Sequence, residues 1–249
     1  MRLTVPGLAV LLLMLTVADV LAFGGAHIGD RGVFRDGLPP RSGLWHTLWR
    51  VLVMGGQYWL VGSAAALAVA WAAWRARSLH VLLVGGLWLV GTELVIRGMQ
   101  VAAGRTAPLR GADLLFAGGV SFPSGHAANA AACLVFIVGV LAAPTWLTLA
   151  AYGWAILVAV AVVTLGYHWP SDAIAGWALG VLLGWLGCWL ARCAAGTPAG
   201  GTELLQDQLG ATTVAAADLG HPGAGGAAAQ AHEERAFRTS VAERDVPDC

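Results

Sequence analysis

Lysine is missing from this 249-residue chain, and all 14 of its basic residues are arginine. Charge of either sign is scarce, at 11% of residues, where soluble domains carry about a quarter. With 58% hydrophobic residues and a mean hydropathy of +0.71, the chain needs lipid around it. The net charge is zero, so nothing points to nucleic acid. Cysteine is rare too. Of the four, Cys133 and Cys188 fall inside apolar runs, Cys193 follows one, and Cys249 stands at the end. No spacing among them suggests a disulfide framework or a metal site, and they read as small core residues.

What is abundant is long apolar sequence. A membrane helix needs about 20 mostly apolar residues, and six stretches qualify: 5–23, 51–74, 79–96, 123–143, 146–167 and 171–190. The first has a short flank with one arginine and no small-residue cleavage signal, so it reads as an uncleaved span. Trp71, Trp74, Arg75 and Arg77 form an aromatic and cationic border to the second, and the 12 tryptophans read as interface belts and packing. Pro144 separates the fourth span from the fifth. The fold class expected is therefore all-α: a polytopic bundle of six transmembrane helices over residues 1–195. Residues 196–249 carry eight acidic residues against three arginines, are rich in Gly and Ala, and have almost no aromatics. Such a segment buries too little apolar surface to offset its ordering entropy, and a disordered, dispensable cytoplasmic tail is expected.

Six spans put both termini on one side, with the turns near 75–78 and 143–145. The 24–47 loop, the 97–122 loop and the 167–171 corner share the other. Arg75, Arg77 and Arg192 favour a cytoplasmic first side in a cell membrane. Arg31, Arg35, Arg41, Arg97, Arg105 and Arg110 lie on the opposite side and oppose that count, some of them as candidate anion ligands.

Every candidate for chemistry lies at this second face. Pro123-Ser124-Gly125-His126 opens the fourth span. Proline suits a first helical turn, Ser124 is a good N-cap, and the free N–H groups and dipole there attract anions. Gly125 admits a ligand close to the backbone, and His126 offers an exchangeable proton. An ordinary helix start with an interfacial histidine has the same sequence. Tyr167-His168-Trp169-Pro170-Ser171-Asp172 joins the fifth and sixth spans. Asp172, four residues after His168, can accept from one imidazole nitrogen and leave the other as a directed nucleophile. The alternative is an interfacial Trp-Pro turn capped at Ser171.

Together the two segments resemble the type 2 phosphatidic acid phosphatase (PAP2) superfamily, over about residues 50–190. That family has six spans and three motifs: Lys-x6-Arg-Pro, Pro-Ser-Gly-His, and Ser-Arg-x5-His-x3-Asp. The second is intact at 123–126, and the His-x3-Asp half of the third stands at 168–172. The resemblance implies a phosphohistidine at His168, Asp172 as its orienter and His126 as acid and later base. Ser124, Gly125 and nearby amides would hold phosphate oxygens. No metal and no other cofactor is implied. The partners expected are membrane lipids and a lipid phosphate or pyrophosphate: phosphatidic acid, phosphatidylglycerol phosphate, or a polyprenyl type.

The departures concern the phosphate clamp. Ala161 and Val162 stand where the family has Ser-Arg, Ala107 where the first motif has Arg, and Gln100 where it has Lys. Arg105 can swing into the pocket as a phosphate ligand. Arg97 is a second candidate, although its spacing from Glu93 equally suits an i,i+4 ion pair. Losing a donor to a developing oxyanion typically costs about 10²–10³ in rate. The rivals are therefore a catalytically impaired relative that binds or transports phospholipid, and a lipid phosphotransferase. Asp19 reads as a polar span end and Asp113 as a loop cap. His27, His46, His80, His221 and His232 have no partner spacing.

Overall fold

The computed structural model describes residues 4–23 and 28–196, whose regular secondary structure is all helical. In chain order the helices are α1 (Thr4–Phe23), α2 (Ile28–Val33), α3 (Gly43–Met54), α4 (Tyr58–Ala76), α5 (Leu79–Ala103), α6 (Gly125–Val140), α7 (Thr145–Thr164) and α8 (Pro170–Gly196). The expected tail beyond residue 196 lies outside the described residues. Five segments are long and apolar enough to cross a membrane, and α6, at 16 residues, is a shorter sixth. The chain is a multi-pass membrane protein. Leu11, Met14, Leu67, Leu87 and Leu149, each more than half exposed, face outward as lipid-facing side chains do.

Two elements differ from their expected bounds. α5 runs to Ala103, about two turns past residue 96, and ends at Gly104 in the left-handed region (φ 56°). Arg97 does not stop it, because Glu93 and Gln100 on the same helix bind its guanidinium. The second span begins within a longer apolar segment, 43–76, broken between α3 and α4 at Gly55-Gly56-Gln57. Gly56 is required there. A β-carbon on it would stand 2.6 Å from the His126 carbonyl oxygen and 2.7 Å from Val158.

α6 is the buried axis. Ala127, Ala128, Ala130, Ala131 and Ala132 have no exposed surface. Opposite them α8 presents Gly176, Gly180, Gly184 and Gly187. Added β-carbons would strike the carbonyls of Ser124, Ala128 and Ala132 and the rings of Trp88 and Phe136. In lipid, where apolar side chains gain little by meeting each other, small residues allow the close backbone approach that binds helices. This packing brings the start of α6 against the start of α8, where the Ser124 N–H donates to the Asp172 carbonyl at 2.9 Å.

Candidate active site

The start of α6, the C-terminal part of α5, the 104–123 loop, the α7–α8 corner and the α3–α4 break line a cavity of about 350 Å³. His126 and His168 both line it, their ring centroids 6.4 Å apart. Arg97, Arg110, Gln100, Ser121 and Gly125 also face it, and Glu93, Tyr58 and Asn129 contribute a second polar group.

His168 sits on the corner between α7 and α8 and is 8% exposed. Its Nδ1 lies 2.8 Å from the Ser121 carbonyl oxygen. A carbonyl only accepts, so Nδ1 carries the proton and Nε2 keeps its lone pair. Asp172 is fully buried, and its nearer oxygen is 3.7 Å from Nδ1, beyond a hydrogen bond. That oxygen accepts instead from the Ser121 hydroxyl and from the Trp169 N–H (3.0 Å). Asp172 thus reaches His168 through Ser121, whose hydroxyl is 3.3 Å from Nδ1. Ser121 escaped the sequence reading. It acts largely through its backbone, which carries no residue signature, and its only signal is adjacency to the Pro123 segment.

Arg105 is not brought to the cavity. It has no exposed surface, and all five of its N–H donors are engaged. Nε and Nη2 hold Asp113 at 2.8 and 2.6 Å, and Nη2 also reaches Asp30 at 2.7 Å. Nη1 bonds Ser171 Oγ and Asp172, both at 2.7 Å. The expected swing toward a phosphate would break every one of these bonds. Asp113 is therefore an ion-pair partner rather than a simple loop cap. Asp30, in the short α2, also accepts the Ser171 N–H at 2.9 Å, capping the start of α8.

Ser124 is likewise fully buried, and its hydroxyl accepts from the Ala127 N–H at 3.5 Å as an N-cap. Gly125 and His126 are the members of that segment that face the cavity. Arg97 lines the cavity with a side chain 62% exposed, bound to Glu93 (2.8 Å) and Gln100 (3.1 Å). Gln100 in turn donates to the Pro123 carbonyl at 3.0 Å. Arg110, passed over in the sequence, ends a 3₁₀ turn (Pro108–Arg110), lines the cavity and is exposed. Ala107 lines it as well, whereas Val162 is buried in an apolar cluster, its carbonyl accepting the N–H groups of Tyr167 and His168. Among the described residues no group of three His, Cys, Asp or Glu is arranged to hold a metal ion.

Residues 95–193 match the model of the PAP2 superfamily. Over 81 residues, 32% of this chain, it is 35% identical to a lipid A 1-phosphatase of Porphyromonas gingivalis, covering 18% of that protein. Over 66 residues, 26% of this chain, it is 39% identical to an undecaprenyl-diphosphatase of Sulfolobus acidocaldarius, covering 31% of that protein. The matches thus span less than a third of either relative. A solved transmembrane PAP2-type phosphatidylglycerolphosphate phosphatase from Bacillus subtilis superposes with a TM-score of 0.61 at 20% identity, over 76% of this chain and 96% of that one. At that identity the likeness is one of fold.

Proposed function

We propose that this chain, whose residues 95–193 match the model of the PAP2 superfamily, is a member of that superfamily and an integral membrane phosphatase acting on a lipid-linked phosphate or pyrophosphate through a phosphohistidine. The observation that carries the proposal is the Ser121 carbonyl on His168 Nδ1, at 2.8 Å, which directs the Nε2 lone pair away as a nucleophile. Nε2 attacks the terminal phosphorus and forms a P–N bond while the P–O bond to the leaving group breaks, the leaving group being the lipid alcohol of a monoester or the lipid monophosphate of a pyrophosphate. His126, across the same cavity, gives its proton to the leaving oxygen. It then takes a proton from a water that attacks phosphorus, breaking P–N and releasing phosphate. The backbone N–H groups at the start of α6, at Gly125 and His126, together with Arg97 and Arg110, hold the phosphate oxygens as charge develops. The scheme draws on side chains and amides alone.

The substrate classes considered from the sequence share this chemistry, and a site beside the headgroup layer suits a substrate whose tail stays in lipid. We assign the site to the extracytoplasmic face of the cell membrane, with the first terminus cytoplasmic. Arg75, Arg77 and Arg192 support this, and so do the separate duties of Arg97, Arg105 and Arg110, which remove half of the opposing arginines from the count. The test is phosphate release from lipid phosphates by purified protein in detergent, compared with His168→Ala. Loss of release in the variant, with a trapped acid-labile phosphohistidine in the parent, is expected. Equal release from both overturns the mechanism.

A further inference from the structure

The cavity continues below the histidines into a polar floor that the phosphatase scheme does not use. Asn129 stands three residues along α6 from His126, on the same face one turn deeper. Its Nδ2 donates to Glu93 Oε2 at 3.3 Å. Tyr58 spans from α4 to donate its hydroxyl proton to the Leu89 carbonyl at 3.2 Å. Glu93, Asn129 and Tyr58 line the same cavity as His126 and His168. Glu93 lies ten residues before the end of α5, about 15 Å along the helix at 1.5 Å per residue. A carboxylate at that depth of a membrane helix is costly and points to a function.

The chemistry of this floor is one-sided. A carboxylate offers about four acceptor positions, and Glu93 is engaged by Arg97 Nε on one oxygen and Asn129 on the other. Asn129 is 4% exposed, and its Oδ1 is buried with no hydrogen-bond partner among the described residues. The Tyr58 oxygen, its proton committed to Leu89, retains its lone pairs. The floor thus has acceptors to spare. Its cation, Arg97, is already shared between Glu93 and Gln100. Phosphate oxygens are acceptors and gain little here, so the reacting phosphate stays between the histidines and the arginines. A hydroxyl, which donates, fits.

Resting on the phosphatase reading, we infer that Glu93, Asn129 and Tyr58 form a hydroxyl-binding subsite. It selects lipid phosphomonoesters whose phosphorylated alcohol carries a free hydroxyl, as a glycerol or sugar does, over those whose alcohol carries none, as prenols and diacylglycerols do. A buried acceptor left unpaired by the wrong substrate is what makes such a site discriminate.

The experiment measures kcat/KM in detergent for phosphatidylglycerol phosphate and for phosphatidic acid of matched acyl chains. The parent, Glu93→Gln and Asn129→Ala are compared. The parent favours phosphatidylglycerol phosphate about tenfold or more, the scale of one hydrogen bond left unmade in a buried site. Both variants bring that ratio toward one. Parent selectivity near one overturns the inference. So does an equal fall on both substrates in the variants, which is the signature of a mere tie between α5 and α6. The same pair of lipids is titrated for binding to His168→Ala. Absence of turnover by the parent then refutes the phosphatase reading, while the binding ratio still decides the subsite.

Discussion

Arg105→Ala separates a structural cation from a substrate-binding one. Five charge-assisted or hydroxyl hydrogen bonds converge on this side chain, and their acceptors include the carboxylates of Asp30, Asp113 and Asp172, all 6% exposed or less. Truncation leaves three buried carboxylates around a void. Removing one partner of a buried ion pair typically costs about 3–5 kcal/mol, because the other charge is left uncompensated. At 2–4 °C per kcal/mol for a domain of this size, Tm falls by about 10 °C. The assay is thermal unfolding of the purified protein in detergent, followed by tryptophan fluorescence. Arg105→Lys recovers only part of the loss, since an ammonium has three donors and cannot fork onto Asp113. Adding Asp113→Asn to Arg105→Ala restores some stability by removing one orphaned charge, a coupling that a double-mutant cycle resolves. A phosphate ligand behaves in the opposite way, with Tm unmoved and KM raised for every phosphorylated lipid. An Arg105→Ala protein that unfolds at the parent temperature refutes the clamp.

Three further outcomes follow from the geometry. Ser121→Ala removes the bridge to Asp172 but keeps the carbonyl on His168, so kcat falls only about tenfold, one hydrogen bond's worth; a loss beyond a thousandfold contradicts the backbone's role. Arg110→Ala lowers kcat/KM about 10²-fold and weakens vanadate inhibition in parallel. Ala107→Arg, which adds a cation to a wall of the cavity, raises both, and steady-state kinetics with vanadate titration reads each. Gly180→Val drives a side chain into the Ala128 carbonyl on the neighbouring helix. A backbone cannot yield as a side chain can, so at least 1–3 kcal/mol of stability is lost, visible as a lower Tm, and a Tm equal to the parent's rules out the close α6–α8 contact.

The spans were legible because hydropathy is a sum over 20 residues and survives local error. Residues 5–23 and 146–167 matched α1 and α7 within a few positions. The end of α5 was less visible. A charged Arg97 reads as a boundary only until Glu93 and Gln100 are found beside it. His168 and Asp172 could be singled out by their spacing within one segment, and His126 by the Pro-Ser-Gly-His helix start; the structure brings the two histidines to one cavity, with Asp172 behind His168. Arg105 could not be assigned correctly, since its partners lie 75, 8 and 67 positions away and no local pattern joins them. Ser121 was missed because its main contribution is a carbonyl oxygen. The α8 glycines passed unremarked, although their spacing of four is the pattern that lets two helices in lipid approach closely.

The Arg105 cluster also bears on how the proposed reaction would run without the two arginines that the PAP2 motifs carry. The sequence suggests a deficit of cations at the phosphate, which makes any nearby arginine look like a replacement. The structure divides the three loop arginines by duty. Arg105 stands behind the site, where it pairs with Asp172, Asp113 and Asp30 and so ties the start of α8, the 104–123 loop and α2 into one unit. Asp172 gives one oxygen to Arg105 and uses the other to hold Ser121 and Trp169 in place rather than to bind His168 itself. The orientation of His168, the nucleophile of the proposed reaction, then depends on a backbone carbonyl, a fixed dipole that cannot be titrated away. Arg97 and Arg110 remain at the cavity, the first already balanced by Glu93. The cavity-lining side chains Arg97, Glu93 and Arg110 thus sum to about one positive charge, which gives Arg110, exposed and in a short turn, more weight in the proposed reaction than its position in the sequence suggests.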